Sequence, residues 1–515
     1  MDRRQFVTSS LALLTTAAWG GAAAKLLSLN KVSELKRQPW AIGFLGAEPS
    51  PLKKMTVTGT FPLALEGCLY RNGPAKMSRA GLDYQHWFDG DGMVQKFTIK
   101  AGEVSHQSEF IKTEKYLAEE QAGKFLFNSA GTVIPNSRAI GNNDDINTAN
   151  TSLLPRNGQL LALWEAGSPH MIDPDNLSTQ GIKSFGAKFT GLPFSAHPLA
   201  DGDGGLWNFG CWYVGGNKTL LVYQVGSDDN VSRLASIELP QAGYIHDFAQ
   251  SQNKLVFYIP PCVYQHCDTY IDSFTWQQGL GSKLLIIDKH DFEKRQYVDL
   301  PDGFVFHFGQ AFEEENQMWV ELSLYNNADI LTQGMKSLLK GDQAEITPEA
   351  QWVRISIELE STTASNSELL RLNGKALSAQ KTNEAQISYS GVMMEFPQFD
   401  QSGHGMRLGK ATYGIGASAL SLSGLSDTLY RVASQPEQAV QSYHLGANII
   451  AEEALFIESH DDTEGYLVMT WLDYGRQVSG LSVFDASKIT QGPIATAKLD
   501  AVIPLGFHGC FIKSE

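Results

Sequence analysis

The chain has 515 residues, of which 43% are hydrophobic and 10% aromatic, so it can bury a large core and is not intrinsically disordered. Its formal net charge of −16 and pI near 5.2 argue against nucleic acid or an anionic membrane surface as a partner, because both require concentrated Lys and Arg. The five cysteines are too few for a disulfide scaffold in a chain of this length. Pairing of Cys262 with Cys267 stays open, and structural thiols are the favoured interpretation.

The first 24 residues, MDRRQFVTSSLALLTTAAWGGAAA, are typical of an export signal. Two arginines precede a weakly apolar stretch, and the small residues Ala22 and Ala24 suit a signal peptidase. The segment resembles a twin-arginine signal, which predicts a bacterial protein exported folded to the periplasm. An uncleaved anchor is the alternative, and the short stretch rich in Thr, Gly and Ala disfavours it. No linker divides residues 25–515, which we interpret as one domain.

Most of the remaining sequence predicts short β-strands, such as KLVFYIPP and GYLVMTWLDY, separated by Gly, Asn and Asp. One helix is predicted over residues 113–127. The strings RNGP (71–74) and FDGDGM (88–93) predict turns between strands, and the second lacks the ladder of oxygen ligands of a calcium loop. The polar region 326–385 predicts insertions between sheets.

A weak pattern of an apolar pair, an Asp and an apolar residue four places later occurs three times. The pairs are Asp173 with Leu177, Asp288 with Phe292, and Asp485 with Ile489. Each Asp can accept hydrogen bonds from its own turn while the apolar residue packs onto a sheet. Repeated small antiparallel sheets in a chain of this length predict a β-propeller, which closes by pairing the chain ends in one blade.

The twelve histidines differ in local context. Six with polar neighbours are predicted to lie on the surface: His106, His266, His290, His404, His444 and His460. Four lie in apolar, strand-like text: His197, His246, His307 and His508. A buried imidazole needs partners for both ring nitrogens, and a metal with an outer hydrogen-bond acceptor supplies both. One such histidine is more often an ordinary core residue, but four favour a metal site for iron, copper, nickel or zinc.

Several segments together resemble the carotenoid cleavage oxygenases, a family that also contains bacterial stilbene dioxygenases and the vertebrate retinoid isomerase. They are LEGCLYRNGPA (65–75), HWFDGDGMV (86–94), NTANTSLL (147–154), LLALWEAGSPHMIDPDNLST (160–179), MEFPQF (394–399) and the four histidine strings. The resemblance extends from about residue 50 to residue 515 and includes all four ligand positions.

This resemblance implies an all-β, seven-bladed β-propeller with a helical and loop cap over an axial Fe(II) site, with one iron per chain. The implied ligands are His197, His246, His307 and His508. It further implies three glutamates that accept hydrogen bonds from the histidines, namely Glu165 with His246, Glu395 with His307 and Glu453 with His508. At the last of these positions the sequence departs from the family, because Ala454 stands where proline is common.

The implied function is a dioxygenase that cleaves a carbon–carbon double bond of an apolar conjugated substrate, such as a carotenoid or apocarotenoid, with O2 to give two carbonyl products. Aromatic residues are expected to line the substrate tunnel, and the candidates are Tyr116, Phe125, Phe127, Phe194, Phe274, Trp276, Phe306 and Phe507. The segment 269–280 is predicted to lie at the tunnel mouth or in a patch that contacts membranes.

Three alternatives remain open at this point. A stilbene dioxygenase of the same family would need a phenol-recognising lysine, and none occurs in the stretch SRAIGNNDDI before NTAN. An isomerase of the family is disfavoured for an exported, bacterial-looking protein. From another class, a non-catalytic ligand-binding propeller would use the histidines as core residues or as a structural zinc site.

Overall fold

Seven antiparallel sheets arranged as a β-propeller form the body of the molecule in a computed structural model. The structure describes residues 38–341, 350–359, 369–372, 375–378, 385–403, 405, 408–435, 439–459 and 464–514. The predicted signal (1–24), His404 and His460 lie outside these residues. The seven sheets confirm the β-propeller that the sequence predicts.

The blades follow one another along the chain, with four or five strands each. Blade 1 contains Lys53–Lys54, Gly67–Lys76, Asp91–Lys100, Glu103–Phe110 and Gly509–Lys513. Blade 2 contains Ser152–Arg156, Gln159–Leu163, His170–Ile172 and Thr179–Ile182. Blade 3 contains Leu199–Ala200, Leu206–Trp212, Thr219–Val225 and Val231–Glu238. Blade 4 contains Phe248–Gln250, Lys254–Ile259, Ser282–Asp288 and Arg295–Leu300.

The last three blades complete the ring. Blade 5 contains Phe304–Glu314, Gln317–Tyr325, Gln351–Glu358 and Ala385–Met393. Blade 6 contains Glu395–Phe399, Ala411–Gly416, Thr428–Ala433 and Gln441–His444. Blade 7 contains Thr56–Gly59, Ile449–Ile457, Tyr466–Asp473, Val478–Asp485 and Ala495–Leu499. Three two-stranded ribbons lie outside the blades: Ser78–Arg79 with Leu82–Asp83, Cys262–Tyr264 with Phe274–Trp276, and Leu369–Leu372 with Lys375–Ser378.

Blades 1 and 7 are both built from the two ends of the described chain. Strand Thr56–Gly59 pairs with Ala495–Leu499 as the outer strand of blade 7. Strand Gly509–Lys513 pairs with residues 67–71 as the innermost strand of blade 1. The ring is thus closed at two places, and the second closure brings the residue before Gly509 to the propeller axis.

The three repeated Asp turns form as the sequence predicts. The carboxylate of Asp173 accepts hydrogen bonds from the backbone N–H of Asp175 and Asn176, and the side chains of Asp288 and Asp485 bond their own turns in the same way. The apolar partners Leu177, Phe292 and Ile489 are buried. Each turn therefore fixes a blade edge to the core between sheets.

A cap of helices and loops covers one end of the ring. Its α-helices are Glu114–Ala122 and Met335–Lys340, the second preceded by a π-helix at Ile330–Gly334. The 3-10 helices of the chain are Pro39–Phe44, Leu63–Leu65, Trp87–Asp89, Asn143–Ile146, Val214–Gly216, Ile271–Ser273 and Ile489–Gln491. The predicted helix begins after the N-cap Thr113, whose side chain accepts from Tyr116 N–H. It ends five residues earlier than predicted, because Gly123 adopts a left-handed conformation that stops it. No helix among the described residues is long and apolar enough to cross a membrane.

Two of the predicted irregular segments are regular structure. The prediction of a turn at RNGP is wrong, because residues 71–74 lie inside the strand Gly67–Lys76, where Arg71 and Asn72 are buried and hydrogen-bonded. The pairing register shifts only after Pro74. The region 326–385 is also not purely insertion, since it supplies the blade 5 strand Gln351–Glu358 and two helical turns of the cap.

The string FDGDGM forms the 3-10 helix Trp87–Asp89 and the start of a strand. The Asp89 carboxylate accepts from His86 N–H, Gly131 N–H and Thr132 Oγ1, while Asp91 pairs with Lys115 at 2.7 Å. These acidic groups serve protein contacts. The predicted turn is correct only in part, because residues 91–93 already belong to the strand Asp91–Lys100. All five cysteines are unpaired thiols, so Cys262 and Cys267 form no disulfide.

His106 contradicts its predicted surface position. It lies in strand Glu103–Phe110 with only 1% of its area exposed, and its Nε2 is 2.8 Å from Gln95 Oε1. Burial, with a smaller contribution from Lys53, lowers the pKa of His106 to about 4. The polar neighbours of His106 in sequence misled the prediction because alternate residues of this strand face the interior.

We expect His106→Gln to weaken the acid sensitivity of the fold. In the native chain the unfolded state takes up a proton on His106 below pH 6.5, whereas the folded state does so only near pH 4, so stability falls as the pH falls through this window. Relative to the variant, the free energy of unfolding of the native chain should therefore fall by about 1.4 kcal/mol for each unit that the pH falls within this window. Thermal unfolding at several pH values measures it, and parallel curves for the two proteins would contradict the expectation.

Candidate metal centre

Four histidines from four blades meet at the propeller axis. His197 and His246 precede the innermost strands of blades 3 and 4, His307 lies within that of blade 5, and His508 directly precedes that of blade 1. One ring nitrogen of each lies within 4.8 Å of the other three. The Nε2 atoms of His197 and His246 are 3.1 Å apart, as are those of His307 and His508. Residues separated by as many as 201 positions along the chain thus share one point in space.

Three of these rings face a glutamate on their outer side, and two of these glutamates, Glu395 and Glu453, are buried. Glu165 contacts Nδ1 of His246. Glu395 Oε2 lies 2.6 Å from Nδ1 of His307, and Glu453 Oε1 lies 2.9 Å from Nδ1 of His508. The glutamates come from blades 2, 6 and 7, so each of these bonds joins two blades. The structure brings together the pairs that the sequence resemblance implied, and no described carboxylate bonds His197.

The hydrogen bonds between the glutamates and Nδ1 decide which ring nitrogen can bind a metal. An ionised carboxylate can only accept a hydrogen bond, so Nδ1 of His307 and of His508 carries the proton and each Nε2 presents a lone pair. When both rings are neutral, two lone pairs at 3.1 Å cannot hydrogen-bond to each other, and a cation between them removes the repulsion. The cluster is therefore a site able to hold a metal ion, and an all-imidazole donor set suits divalent transition metals.

Burial and mutual proximity keep two of the ligands neutral. Burial, followed by the neighbouring imidazoles, holds the pKa of both His197 and His508 well below the usual value for histidine. Burial also disfavours the charged form of His307, but the adjacent Glu395 carboxylate outweighs burial and raises that pKa. At neutral pH His197 and His508 can therefore offer a lone pair without first releasing a proton.

Each glutamate is itself braced by a buried group. Tyr244 donates its hydroxyl to Glu165 at 2.6 Å, and Tyr325 lies beside Glu395, which together with burial holds the pKa of Tyr325 well above its usual value. The guanidinium of Arg71 donates to Glu453 Oε2 at 2.8 Å and to the Phe507 carbonyl at 3.1 Å. Tyr244 and Arg71 thus fix two of the three carboxylates that orient the imidazoles.

Sequence reasoning missed Arg71 because its string was interpreted as a turn. The signal that could have found it is a lone arginine in the otherwise uncharged string CLYRNGPA, because a buried arginine needs an acidic partner. Glu452, next to Glu453, lies 3.6 Å from the same guanidinium and accepts from Gly506 N–H.

An apolar cavity of about 140 Å³ lies on the cap side of the histidines. His246, His307 and His508 form its floor, and aromatic and aliphatic side chains form its walls: Phe44, Trp87, Phe88, Phe306, Tyr325, Ile330, Met335, Leu338, Phe396, Ile415, Leu425, Ile450, Leu505 and Phe507. Thr151 and Ser426 add two hydroxyl groups. Glu395, Glu452 and Glu453 also line the cavity, with carboxylates that bind His307, Gly506 N–H, and His508 together with Arg71, respectively. The cap helices and 3-10 turns therefore close an apolar space directly over the cluster.

The fold places only some of the predicted tunnel aromatics at the cavity. Phe306 and Phe507 line the apolar cavity. The other candidates lie elsewhere among the described residues. Four of them pack on another aromatic ring: Tyr116 on Phe110, Phe125 on Tyr84, Phe194 on Phe185, and Phe274 on Tyr244. Trp276 lies in the ribbon beside blade 4, and Phe127 is buried in the segment after the helix Glu114–Ala122. Aromatic identity alone does not say which side of a blade a side chain faces.

Comparison with known proteins identifies the family. The family model described as Retinal pigment epithelial membrane protein matches residues 46–513. The chain belongs to this family. The carotenoid 9,10(9',10')-cleavage dioxygenase 1 of Arabidopsis thaliana is 25% identical, covering 91% of this chain and 88% of the relative. The apocarotenoid-15,15'-oxygenase of Synechocystis is 26% identical, covering 89% and 92%. The chain is an enzyme of the carotenoid-oxygenase type.

Solved structures share the architecture. Cobalt-substituted Synechocystis apocarotenoid oxygenase superposes with a TM-score of 0.76 at 24% identity, covering 93% of this chain and all of that one. Pseudomonas brassicacearum lignostilbene dioxygenase gives a TM-score of 0.76 at 22% identity, covering 91% and 97%. At these identities the likeness concerns the fold, and it agrees with seven blades around one axis.

We expect Arg71→Met to weaken metal binding by about 10- to 100-fold, because it removes the brace from Glu453 and so loosens His508. Arg71→Lys should recover part of the loss, since it keeps the charge but not the forked geometry. Titration of the metal-free protein with Co²⁺ measures the affinity. Arg156→Met, which removes a guanidinium that pairs with Asp229 between loops of blades 2 and 3, is the matched control. Equal losses in both variants would contradict a specific role for Arg71.

Proposed function

We propose that this protein is a non-haem iron dioxygenase that cleaves a carbon–carbon double bond of a carotenoid-like or apocarotenoid-like substrate with O2, giving two carbonyl products. One Fe(II) per chain is held by His197, His246, His307 and His508. The observation that carries the proposal is the cluster of four imidazoles, within 4.8 Å of one another, on the floor of an apolar cavity. Membership of the family supports the reaction class.

The residues of the chain have distinct tasks in this reaction. When bound, ferrous iron supplies the binding and activation of dioxygen. The three glutamates hold the imidazole lone pairs toward the axis, and Arg71 and Tyr244 hold two of the glutamates. The cavity walls exclude water and fix which double bond lies beside the histidines. No side chain has to act as a general acid or base.

The apolar character of the cavity favours a polyene as substrate. Its described lining contains no Lys or Arg, and most of its walls are aromatic or aliphatic. A conjugated hydrocarbon chain gains from such a surface, whereas a charged substrate would lose hydration and meet only carboxylates that already bind protein groups. The names of the two relatives point to the same substrate class.

Stilbene cleavage is the second candidate. The hydroxyl of Tyr325 on the cavity wall could accept or donate a hydrogen bond to a phenol, and one structural neighbour is a lignostilbene dioxygenase. The two candidates differ in the substrate that binds, since a hydroxystilbene needs the Tyr325 hydroxyl and a polyene does not. A ligand-binding propeller without activity is separated from both by its metal content.

The test is metal analysis followed by a substrate panel. The freshly purified protein should contain about one iron per chain and, under ¹⁸O₂, convert apocarotenals into two labelled carbonyl products identified by mass spectrometry. His508→Ala should lose both iron and cleavage, whereas His266→Ala, which replaces an exposed histidine, should keep both. Cleavage of hydroxystilbenes alone would favour the second candidate. Zinc or no metal, with no cleavage of either substrate, would overturn the proposal in favour of a binding protein.

Leu425→Trp tests the assignment of the substrate cavity. Leu425 is buried on its wall, and a larger ring there should fill space that the substrate needs. We expect KM for the cleaved substrate to rise about tenfold or more with unchanged iron content. Leu422→Trp, three residues away on the same loop but 61% exposed, is the matched control and should leave KM unchanged. An unchanged KM in Leu425→Trp would place the substrate elsewhere.

We further propose export to the periplasm by the twin-arginine route and peripheral contact with membranes. The signal-like residues 1–24 support export, and cell fractionation of the full chain tests it.

The exposed Leu420 and Leu422, close in sequence to Leu425 of the cavity wall, support the membrane contact. Vesicle flotation of the Leu420→Ser, Leu422→Ser variant beside the native chain tests that contact.

A further inference from the structure

A second cavity reaches the same histidines from the side opposite the cap. It has a volume of about 570 Å³ and runs along the propeller axis. The innermost strand of every blade contributes to its wall: residues 509–511, 152–154, 199–200, 248–250, 308–311, 396–399 and 453–457 in the order of blades 1 to 7. We call this cavity the axial channel.

The histidine cluster separates the axial channel from the apolar cavity. His307 and His508 face both spaces, together with Phe396 and Glu453. His197 lines only the axial channel, and His246 lines only the apolar cavity. His197 is also the one ligand of the four that is partly exposed, and the one without a described glutamate partner. One side of the cluster is thus open to the channel through His197.

The two spaces differ sharply in polarity. The axial channel carries the carboxylates of Asp247, Asp400, Glu453 and Glu458, and no Lys or Arg occurs among the described residues that line it. The amides of Gln250, Gln310 and Gln398 add further oxygen atoms to the wall. A channel with one sign of charge and protein walls concentrates counter-ions, and here the counter-ions are cations.

The four carboxylates differ in their contacts with the protein and in their exposure to solvent. Asp247 accepts from the backbone N–H of Phe248 and Phe308, and Glu453 is paired with Arg71. Asp400 and Glu458 lie at the outer part of the channel, where Glu458 is exposed together with Gln401 and Ser402. Asp400 Oδ1 also accepts from the backbone N–H and the hydroxyl of Ser402. Both carboxylates lie where an ion that arrives from solution first meets the channel.

We propose that the axial channel is the route by which a hydrated divalent metal ion enters the site, with His197 as the first ligand that it meets. Moving such an ion through the apolar cavity would remove its water in exchange for few oxygen ligands, because the carboxylates that line the cavity already bind His307, His508, Arg71 and Gly506 N–H. Dioxygen and a polyene gain nothing from carboxylates, so the charges of the channel serve the cation. Metal and substrate therefore enter from opposite faces. This inference rests on the metal-holding role of the four histidines.

The test measures the rate of metal uptake rather than activity. The full-length protein is stripped with a chelator, its fold is checked by circular dichroism, and Co²⁺ is mixed in while its visible absorption is followed in a stopped-flow instrument. The test variant is Asp400→Asn, Glu458→Gln. The matched control is Glu238→Gln, Asp299→Asn, which removes the same charge from the outermost strands of blades 3 and 4.

The test variant should take up Co²⁺ about three- to tenfold more slowly at low ionic strength than the control, and the difference should shrink in high salt. Release of Co²⁺ to EDTA should slow in parallel, so that Kd changes less than the uptake rate. Leu425→Trp, which narrows the apolar cavity, should take up Co²⁺ at the native rate. Equal uptake rates in the test variant and control, or slow uptake in Leu425→Trp, would overturn the route. Failure to bind Co²⁺ in the native chain would instead overturn the proposed function.

Discussion

The bond between an outer imidazole nitrogen and a buried carboxylate is the constraint on which the centre depends. It sets the tautomer of His246, His307 and His508, and so decides that the inner nitrogens carry lone pairs. A propeller suits this arrangement because the inner strands of all blades run beside one axis. Histidine and glutamate come from different blades, so the ring must close correctly before any of these bonds can form.

The histidine cluster also separates two spaces of different polarity along the propeller axis. On the cap side the walls are mostly aromatic and aliphatic, with carboxylates that already bind protein groups, and on the other side they carry more carboxylates and amides. Four imidazoles placed at the boundary can be reached by an apolar molecule and by a hydrated ion without either crossing the environment that suits the other. The cap makes this division, because its helices and turns supply Trp87, Ile330 and Leu338 to the apolar side.

How much could be predicted from the sequence depended on the kind of residue. The four histidines stood out because a polar ring is unusual in apolar strand text, and the family resemblance paired each glutamate with its histidine. Arg71 stayed hidden because Asn, Gly and Pro follow it and imitate a turn, although the strand continues through them. His106 was misplaced for the reverse reason, since a polar string can form a strand with one buried face. The tunnel aromatics could not be separated, because the fold decides which core each ring enters.

The double closure of the ring has a consequence for biosynthesis. The innermost strand of blade 1 is Gly509–Lys513, and His508 reaches the axis only when this strand pairs with the strand that begins at Gly67. While the ribosome is still translating blade 7, the nascent chain therefore lacks one of the four imidazoles and one wall of the axis. Completion of the four-histidine cluster is thus coupled to synthesis of this strand, and a product truncated before His508 would contain most of the propeller without a complete centre.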